Sequence, residues 1–342
     1  MVKSLNSTPL VSVLMPVYNC ENYIRESVNS ILDQSLTDFE LIIIDDCSND
    51  KTVEIIKSID DKRIHLVTKP HNTGYTESLN YGLSIIKGKY VARMDGDDIS
   101  TIDRFKLQYE FLESNSDVVL CGTGYDAINS EISFNPLISH SENLLQLIDN
   151  CPFAHPSIMM RAEVLKKFNI QYDPSYEPAE DYKLWTELSK FGEVTNLPNK
   201  LLKYRIHENQ TTNKRAIQQI ALSQKISTEH LNRLTNFHQY SNFYVNGVLN
   251  SIEDLEKYKI IEFEIKNYFE KNNVKYLNKI FEIRAKRYFI KSLVSRNFTP
   301  LTFLNLIPLL SRIFKIVGLL FIVKLFIKSL IFWKGLQLKK IA

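Results

Sequence analysis

The run Tyr90-Val91-Ala92-Arg93-Met94-Asp95-Gly96-Asp97-Asp98 sets three carboxylates directly behind a short apolar stretch. Carboxylates this close repel one another unless a cation is present. Hard oxygen donors of this type suit Mg²⁺ or Mn²⁺, and those ions in turn hold phosphates. The same residue types also build an ordinary solvated turn, so their position in the fold decides between the two. Glu180-Asp181 is a second acidic element and opens a helical pattern. A carboxylate there can take a proton from a hydroxyl, or simply sit well at the positive end of a helix. Asp45-Asp46 closes another apolar run. Lys69 and Arg93 are cations near strand ends that could meet a diphosphate, although Arg93 could equally pair with an acid of the 95–98 turn. His207 follows the last strand pattern and could complete a metal or diphosphate shell. His155 carries a weaker argument, and His65 and His71 none beyond proximity.

The elements that must position these residues are legible in the first hundred positions. Residues 11–15 form a β-rich run stopped by Pro16, and 21–33 carry Ile24, Val28, Ile31 and Leu32 at helical spacing. Residues 39–44 read as a strand buried on both faces and interrupted at Glu40. A helix over 50–59 is capped by Ser48 or Asn49, a short strand covers 64–67, a helix 73–86 ends at Gly88, and a strand covers 90–94. This βαβα order predicts a mostly parallel sheet with right-handed crossovers. Ligands of such sheets gather at the C-terminal strand ends, where residues 16–19, 45–46, 69–74 and 95–97 all fall. Further on, 102–112 and 180–191 read as helices, and 118–121, 157–160, 193–197 and 201–206 as strands. After residue 213 the pattern is helical.

With 342 residues the chain has room for about two domains. Its four cysteines, Cys20, Cys47, Cys121 and Cys151, show no C-x-x-C spacing, which argues against a zinc site or disulfide framework and fits a reducing compartment. The N-terminus lacks the apolar core of a secretory signal. The net charge of +3 hides an asymmetry: residues 283–342 hold twelve of the 42 basic side chains and none of the 39 acidic ones. This stretch is also rich in Leu, Ile and Phe, so an anionic membrane surface is a better partner for it than nucleic acid. Its longest uncharged run, 297–311, is 15 residues and contains Pro300 and Pro308, short of the ~20 needed to span a bilayer. Helices lying in the membrane interface fit it better, with Lys side chains reaching the phosphates.

Several segments together resemble family 2 glycosyltransferases of the GT-A fold. They are Val11 through Asn19, Ser30 through Ser35, Phe39 through Ser48, Asn72-Thr73-Gly74, Gly88 through Asp98 and Ala179 through Trp185. The resemblance spans about residues 9–210. It implies an α/β, Rossmann-like nucleotide-diphospho-sugar transferase domain over 1–210; composition and pattern then give a helical region over 211–296 and a basic membrane-associating region over 297–342. It further implies a UDP-sugar donor, with Pro16 and Tyr18 lining base and ribose and Asp45 accepting a hydrogen bond from the uracil ring N–H. Asn72 and Gly74 would form a turn where backbone approaches the nucleotide, with Arg93 near the diphosphate. Asp97 would bind Mn²⁺ or Mg²⁺, joined by Asp95, which could also contact ribose, and by His207. Asp181, in preference to Glu180, would be the base of an inverting transfer, and Trp185 could stack on the acceptor sugar or belong to the core.

The reaction expected is extension of a bacterial surface glycan, a lipopolysaccharide, capsule or similar polymer, possibly lipid-linked. It would take place on the cytoplasmic face of the membrane, with the enzyme peripherally attached and no role for nucleic acid. A nucleotidyltransferase would need a glycine-rich phosphate loop after the first strand, and Pro16-Val17-Tyr18-Asn19 is not one. A dinucleotide-binding domain fails for want of G-x-G-x-x-G. A membrane-bound nucleotide-sugar binding protein would have no use for Glu180-Asp181.

Overall fold

The computed structural model describes residues 8–207, 215–235, 238–246 and 252–271. Contacts divide the chain into two units, Met1–Ile226 and Ser227–Ala342. In the first unit, strands β1 (Val11–Val17), β2 (Phe39–Asp45), β3 (Ile64–Thr68) and β4 (Tyr90–Arg93) alternate with helices α1 (Ile24–Leu32), α2 (Thr52–Lys57) and α3 (Tyr75–Ile85). These strands pair in parallel, and β1 lies between β2 and β4. The winding therefore reverses at β1, and a crevice opens at the C-terminal ends of β1 and β4.

Beyond β4 the sheet becomes mixed. It continues through β8 (Met159–Arg161), β6 (Val118–Ala127), β9 (Glu193–Tyr204) and β5 (Ile99–Ser100), with β7 (Ser133–Phe134) paired to β6. β8 is antiparallel to both β4 and β6, whereas β6 and β9 are parallel. Helices α4 (Arg104–Ser114), α5 (His140–Gln146), α6 (Ala162–Lys167) and α7 (Glu180–Leu188) complete the layers.

β1 and β2 are buried at every position, which is why their sequences are almost continuously apolar. Successive residues point to opposite cores. Val13, Met15, Leu41 and Ile43 pack with Ile24, Val28 and Ile31 of α1. Leu14, Ile42 and Ile44 pack with Leu79 of α3 and with Leu184, Trp185 and Leu188 of α7. Each such side chain contributes roughly 1.5–3 kcal/mol, and together they hold the strand ends in fixed register. Glu40 is tolerated inside β2 because its Oε1 accepts the Ser12 hydroxyl at 2.5 Å and the Lys87 N–H at 2.9 Å.

Two local expectations change. The helix after β2 is capped by neither Ser48 nor Asn49: Asp50 Oδ1 accepts the Thr52 N–H at 2.9 Å. The two strands expected over 193–206 are one, β9, which carries a register shift against β6 between Asn196 and Lys200. Pro198 lies in that shift, where its missing N–H costs no ladder bond.

Helix α8 (Ala216–Leu234) begins in the first unit and ends in the second, which also contains α9 (His238–Asn246) and α10 (Ile252–Lys271). There Tyr244 and Tyr258 stack at 5.2 Å, and the Tyr244 hydroxyl donates to the buried Glu262. Among the described residues no helix is long and apolar enough to cross a membrane. The basic apolar stretch 297–342 lies outside the described residues.

Candidate active site

Two loops at the ends of β1 and β2 are zipped together. The Asn19 N–H donates to Ser48 Oγ at 2.9 Å, and the Asn49 N–H returns to Asn19 Oδ1 at 2.9 Å. The Cys20 N–H donates to Thr52 Oγ1 at 2.7 Å, and the Glu21 N–H to Asp50 Oδ2 at 3.0 Å. Tyr18 stands above this zipper at 47% exposure, while Pro16 is buried within β1 opposite Ile44. Asp45 ends β2 and is buried, its carboxylate accepting the Ser48 N–H at 3.2 and 3.4 Å.

Asp46 organises the neighbouring loop. Its two oxygens accept the Thr73 N–H at 3.0 Å and the Gly74 N–H at 2.9 Å, and Lys69 Nζ lies 2.6 Å away. Lys69 also donates to Ser78 Oγ at 2.9 Å and to Thr73. It is therefore built into the loop, contrary to its expected reach toward a diphosphate. Asn72 is exposed and its Oδ1 accepts the Gly74 N–H at 3.2 Å. Gly74 has φ 96°, a conformation that disfavours any side chain.

The acid turn after β4 lies at the crevice. Asp95, Asp97 and Asp98 can each turn a ligand oxygen to a common point, these atoms lying within 4.8 Å of one another. A Cβ on Gly96 would come 2.9 Å from Val17 Cγ1, so only glycine lets the turn lie against the end of β1. Asp97 Oδ2 is 2.8 Å from His207 Nε2. The end of β9 holds this turn: the Arg205 N–H donates to Asp98 Oδ1 at 2.8 Å, and Arg205 Nε to the Asp97 carbonyl at 2.8 Å. Helix α1 completes the hold through Tyr23, whose ring is 5.4 Å from that of His207 and 4.6 Å below the Arg205 guanidinium.

Asp97 and Asp98 titrate above the usual carboxylate range, through burial first and then repulsion from neighbouring acids. Asp98 is fully buried and its Oδ2 has no partner. Arg93 is buried and pairs with Asp95, while its Nε and Nη1 have no hydrogen-bond partner. These carboxylates have more acceptor capacity than the protein satisfies, the condition that a divalent cation relieves. The oxygens of Asp95, Asp97 and Asp98 can converge on one hard divalent cation such as Mn²⁺ or Mg²⁺, with His207 beside Asp97.

Glu180 and Asp181 open α7 and titrate apart. Burial, then repulsion from Asp181, pushes Glu180 up to about 8. Burial also raises Asp181, but the Tyr182 N–H and the Arg93 charge oppose it, and it reaches only about 6. Asp181 is also the more open of the two, Glu180 being only 5% exposed. The charge of Asp95 is among those felt at Asp181, so the two acidic elements share one field.

Trp185 is fully buried against Phe153 and His155, at 6.1 and 5.6 Å between ring centroids, and so belongs to the core and cannot stack on a sugar. His155 Nε2 lies 2.8 Å from the Tyr172 hydroxyl; burial and the Arg93 charge hold the ring well below its usual titration range. It has no part in the acid cluster. The sequence gives Asp46 no role beyond its place at the end of a strand, Arg205 none beyond its closeness to His207, and Tyr23 no signal at all.

A sheet that reverses at β1, with a carboxylate cluster at the reversal and a second acid pair alongside, is the layout of a GT-A glycosyltransferase. The family described as Glycosyl transferase family 2 matches residues 12–168. An uncharacterised glycosyltransferase of Haemophilus influenzae is 33% identical over 277 residues, covering 75% of this chain and 82% of that protein. TuaG of Bacillus subtilis, a putative teichuronic acid biosynthesis glycosyltransferase, is 32% identical over 210 residues, 60% of this chain and 82% of its own. Among solved structures, S. aureus TarS 1–349 in complex with UDP-GlcNAc superposes with a TM-score of 0.54 at 19% identity, covering 95% of this chain and 92% of that one. The chain belongs to glycosyl transferase family 2 and is a glycosyltransferase with the GT-A fold.

Proposed function

We propose that the enzyme transfers a sugar from a UDP-sugar to a hydroxyl of a growing bacterial surface glycan, in one in-line displacement that inverts the anomeric centre. The observation that carries this reading is the placement of Asp181 at the start of α7, where the charges of Arg93 and of Asp95 in the acid turn both reach it. Asp181, the more open of the two acids, takes the proton of the attacking acceptor hydroxyl.

The donor nucleotide lies over the zipped loops, against Pro16 and Tyr18. Asp45 retains lone pairs beyond those used by Ser48 and accepts the uracil ring N–H. Asn72 and Gly74 bring backbone close to the nucleotide, and Asp95 shares its carboxylate between ribose and the cation site. Arg93, paired with Asp95, lies near the diphosphate. Asp97, Asp95 and His207 hold Mn²⁺ or Mg²⁺. When bound, this ion supplies Lewis-acid stabilisation of the negative charge on the departing UDP.

The TuaG likeness supports a surface glycan as acceptor, and the TarS complex supports a UDP-sugar as donor. The basic, acid-free stretch 283–342 supports attachment to the cytoplasmic face of the membrane near a lipid-linked acceptor. On this reading residues 1–210 are the catalytic domain, 211–296 a helical region and 297–342 the membrane-associating part.

The test is UDP release from a panel of UDP-sugars with Mn²⁺. One donor is expected to be hydrolysed slowly by the wild type, with activity lost in EDTA and in Asp97→Ala. Binding of GDP-, dTDP- or CMP-sugars but of no UDP-sugar would overturn the assignment of Asp45.

A further inference from the structure

Helix α3 begins without a cap of its own. Its N-cap is Gly74, which has no side chain to accept the free N–H groups of the first turn. The acceptor comes instead from 101 residues further along the chain: Glu177 Oε2 takes the Thr76 N–H at 3.3 Å and the Thr76 hydroxyl at 2.7 Å. One turn on, Asn80 is tied to the same distant segment in both directions. Its Nδ2 donates to the Tyr172 carbonyl at 2.8 Å, and its Oδ1 accepts the Tyr172 N–H at 2.9 Å. Thr76 and Asn80 share one helix face, and residues 172–177 are laced along it.

Glu177 also faces the other way. Its Oε1 accepts Arg215 Nη1 at 2.6 Å, and its carbonyl accepts Gln218 Nε2 at 3.2 Å. Gln219 Nε2 donates to the Pro178 carbonyl at 2.9 Å. Burial would raise this carboxyl, but the hydrogen bonds from Thr76 and Arg215 outweigh it and keep Glu177 ionised.

We propose that Glu177 is a positioning residue that registers the base against the donor turn. The bonds run without a break: Asp46 holds the Gly74 N–H, α3 starts at Tyr75, Thr76 holds Glu177, and three residues later comes Glu180-Asp181. The turn between is short and closed by the Ala179 N–H on the Tyr176 carbonyl at 2.6 Å, so a shift at 177 passes to the first turn of α7. The proposal rests on Asp181 being the base, but its first test does not.

That test is amide hydrogen exchange on the full chain. Glu177→Ala and Thr76→Val should each speed exchange roughly tenfold at both 75–78 and 180–183, with α1 and α4 unchanged. Unchanged exchange at 180–183 in Glu177→Ala, or equal acceleration throughout the first unit, would overturn the proposal. The second test is kinetic. Glu177→Ala should lower kcat about 10- to 100-fold while UDP affinity stays within about threefold. Glu177→Gln keeps an acceptor for Thr76 and should recover most of the loss. Equal kcat in Glu177→Ala and wild type would reject the positioning role. Full turnover by Asp181→Asn would instead reject the base assignment and leave the exchange result standing.

Discussion

The aspartates of the two loop regions at this sheet edge differ in what satisfies them. In the donor-side loops, Asp46 receives two backbone N–H groups and an ammonium, and Asp50 receives the N–H groups of Glu21 and Thr52. Asp50 accordingly titrates below its usual range, the bonds from Thr52 and Glu21 outweighing burial. In the acid turn and at the start of α7, Asp98 Oδ2 and Glu180 Oε2 have no partner, and Asp97 has a single ring nitrogen. There the titration range moves up. The same residue types thus serve two purposes. Satisfied carboxylates fix the shape of the loops, and under-satisfied ones stay ready for a cation or a proton.

The largest effect that would break this contrast is at Asp181. Asp181→Asn should lower kcat about 10²- to 10⁴-fold while leaving UDP affinity within about threefold by calorimetry. Asp46→Ala should behave in the opposite way, weakening UDP binding and lowering unfolding stability by roughly 1–3 kcal/mol, because the Thr73 N–H loses its acceptor and Lys69 and the Gly74 N–H each lose one of theirs. If Asp46→Ala proved as stable as wild type, the structural assignment of that loop would fall.

A smaller effect concerns pH. A base that ionises at about 6 must be charged to act, so kcat/KM should climb as pH rises through about 6 and then level off. Arg93 favours the charged form of Asp181, so Arg93→Gln should move this limb upward by about one unit. A uniform loss of rate with an unmoved limb would limit Arg93 to holding Asp95. The smallest effect is at the rim. Arg205 pairs with Glu26 at 2.6 Å, but Glu26 is 59% exposed. Glu26→Ala should therefore cost no more than about 0.5 kcal/mol in denaturant unfolding.

Much of the fold and of the candidate site was legible in the sequence, and the limits have physical causes. The order from β1 to β4 could be read because Val13, Met15, Leu41 and Ile43 repeat with the period of a strand and Ile24, Val28 and Ile31 with that of a helix. Asp97, Asp95 and Asp181 stood out because their neighbours in sequence are also their neighbours in space. Ser48, Asn49 and Asp50 are all of types that bind the start of a helix, and which of them does so depends on a loop geometry fixed by Asn19; here Asp50 takes the Thr52 N–H and the N-cap itself is Lys51. β9 was read as two strands because Pro198 breaks the pattern, and only pairing with β6 carries the strand past it. Trp185 could not be assigned to core or surface, because its position one turn after Asp181 suits either. The satisfaction of each carboxylate was hidden altogether. The donors on Asp46 come from residues 69–74 and the cap of α3 from residue 177, separations that no local pattern reveals.

The continuous strand β9 has a consequence for how the gene can vary. It pairs with β6 along one edge and β5 along the other, and its last turn delivers Arg205 and His207 to the acid turn. Its length therefore acts as a gauge. One codon gained or lost between the shift at Pro198 and residue 204 would turn each following side chain to the opposite face. Two codons would restore the faces but carry His207 about 6–7 Å from Asp97. Reading-frame-preserving insertions and deletions should thus be excluded from this strand. The 129–132 turn between β6 and β7 has no such gauge to keep and should accept them.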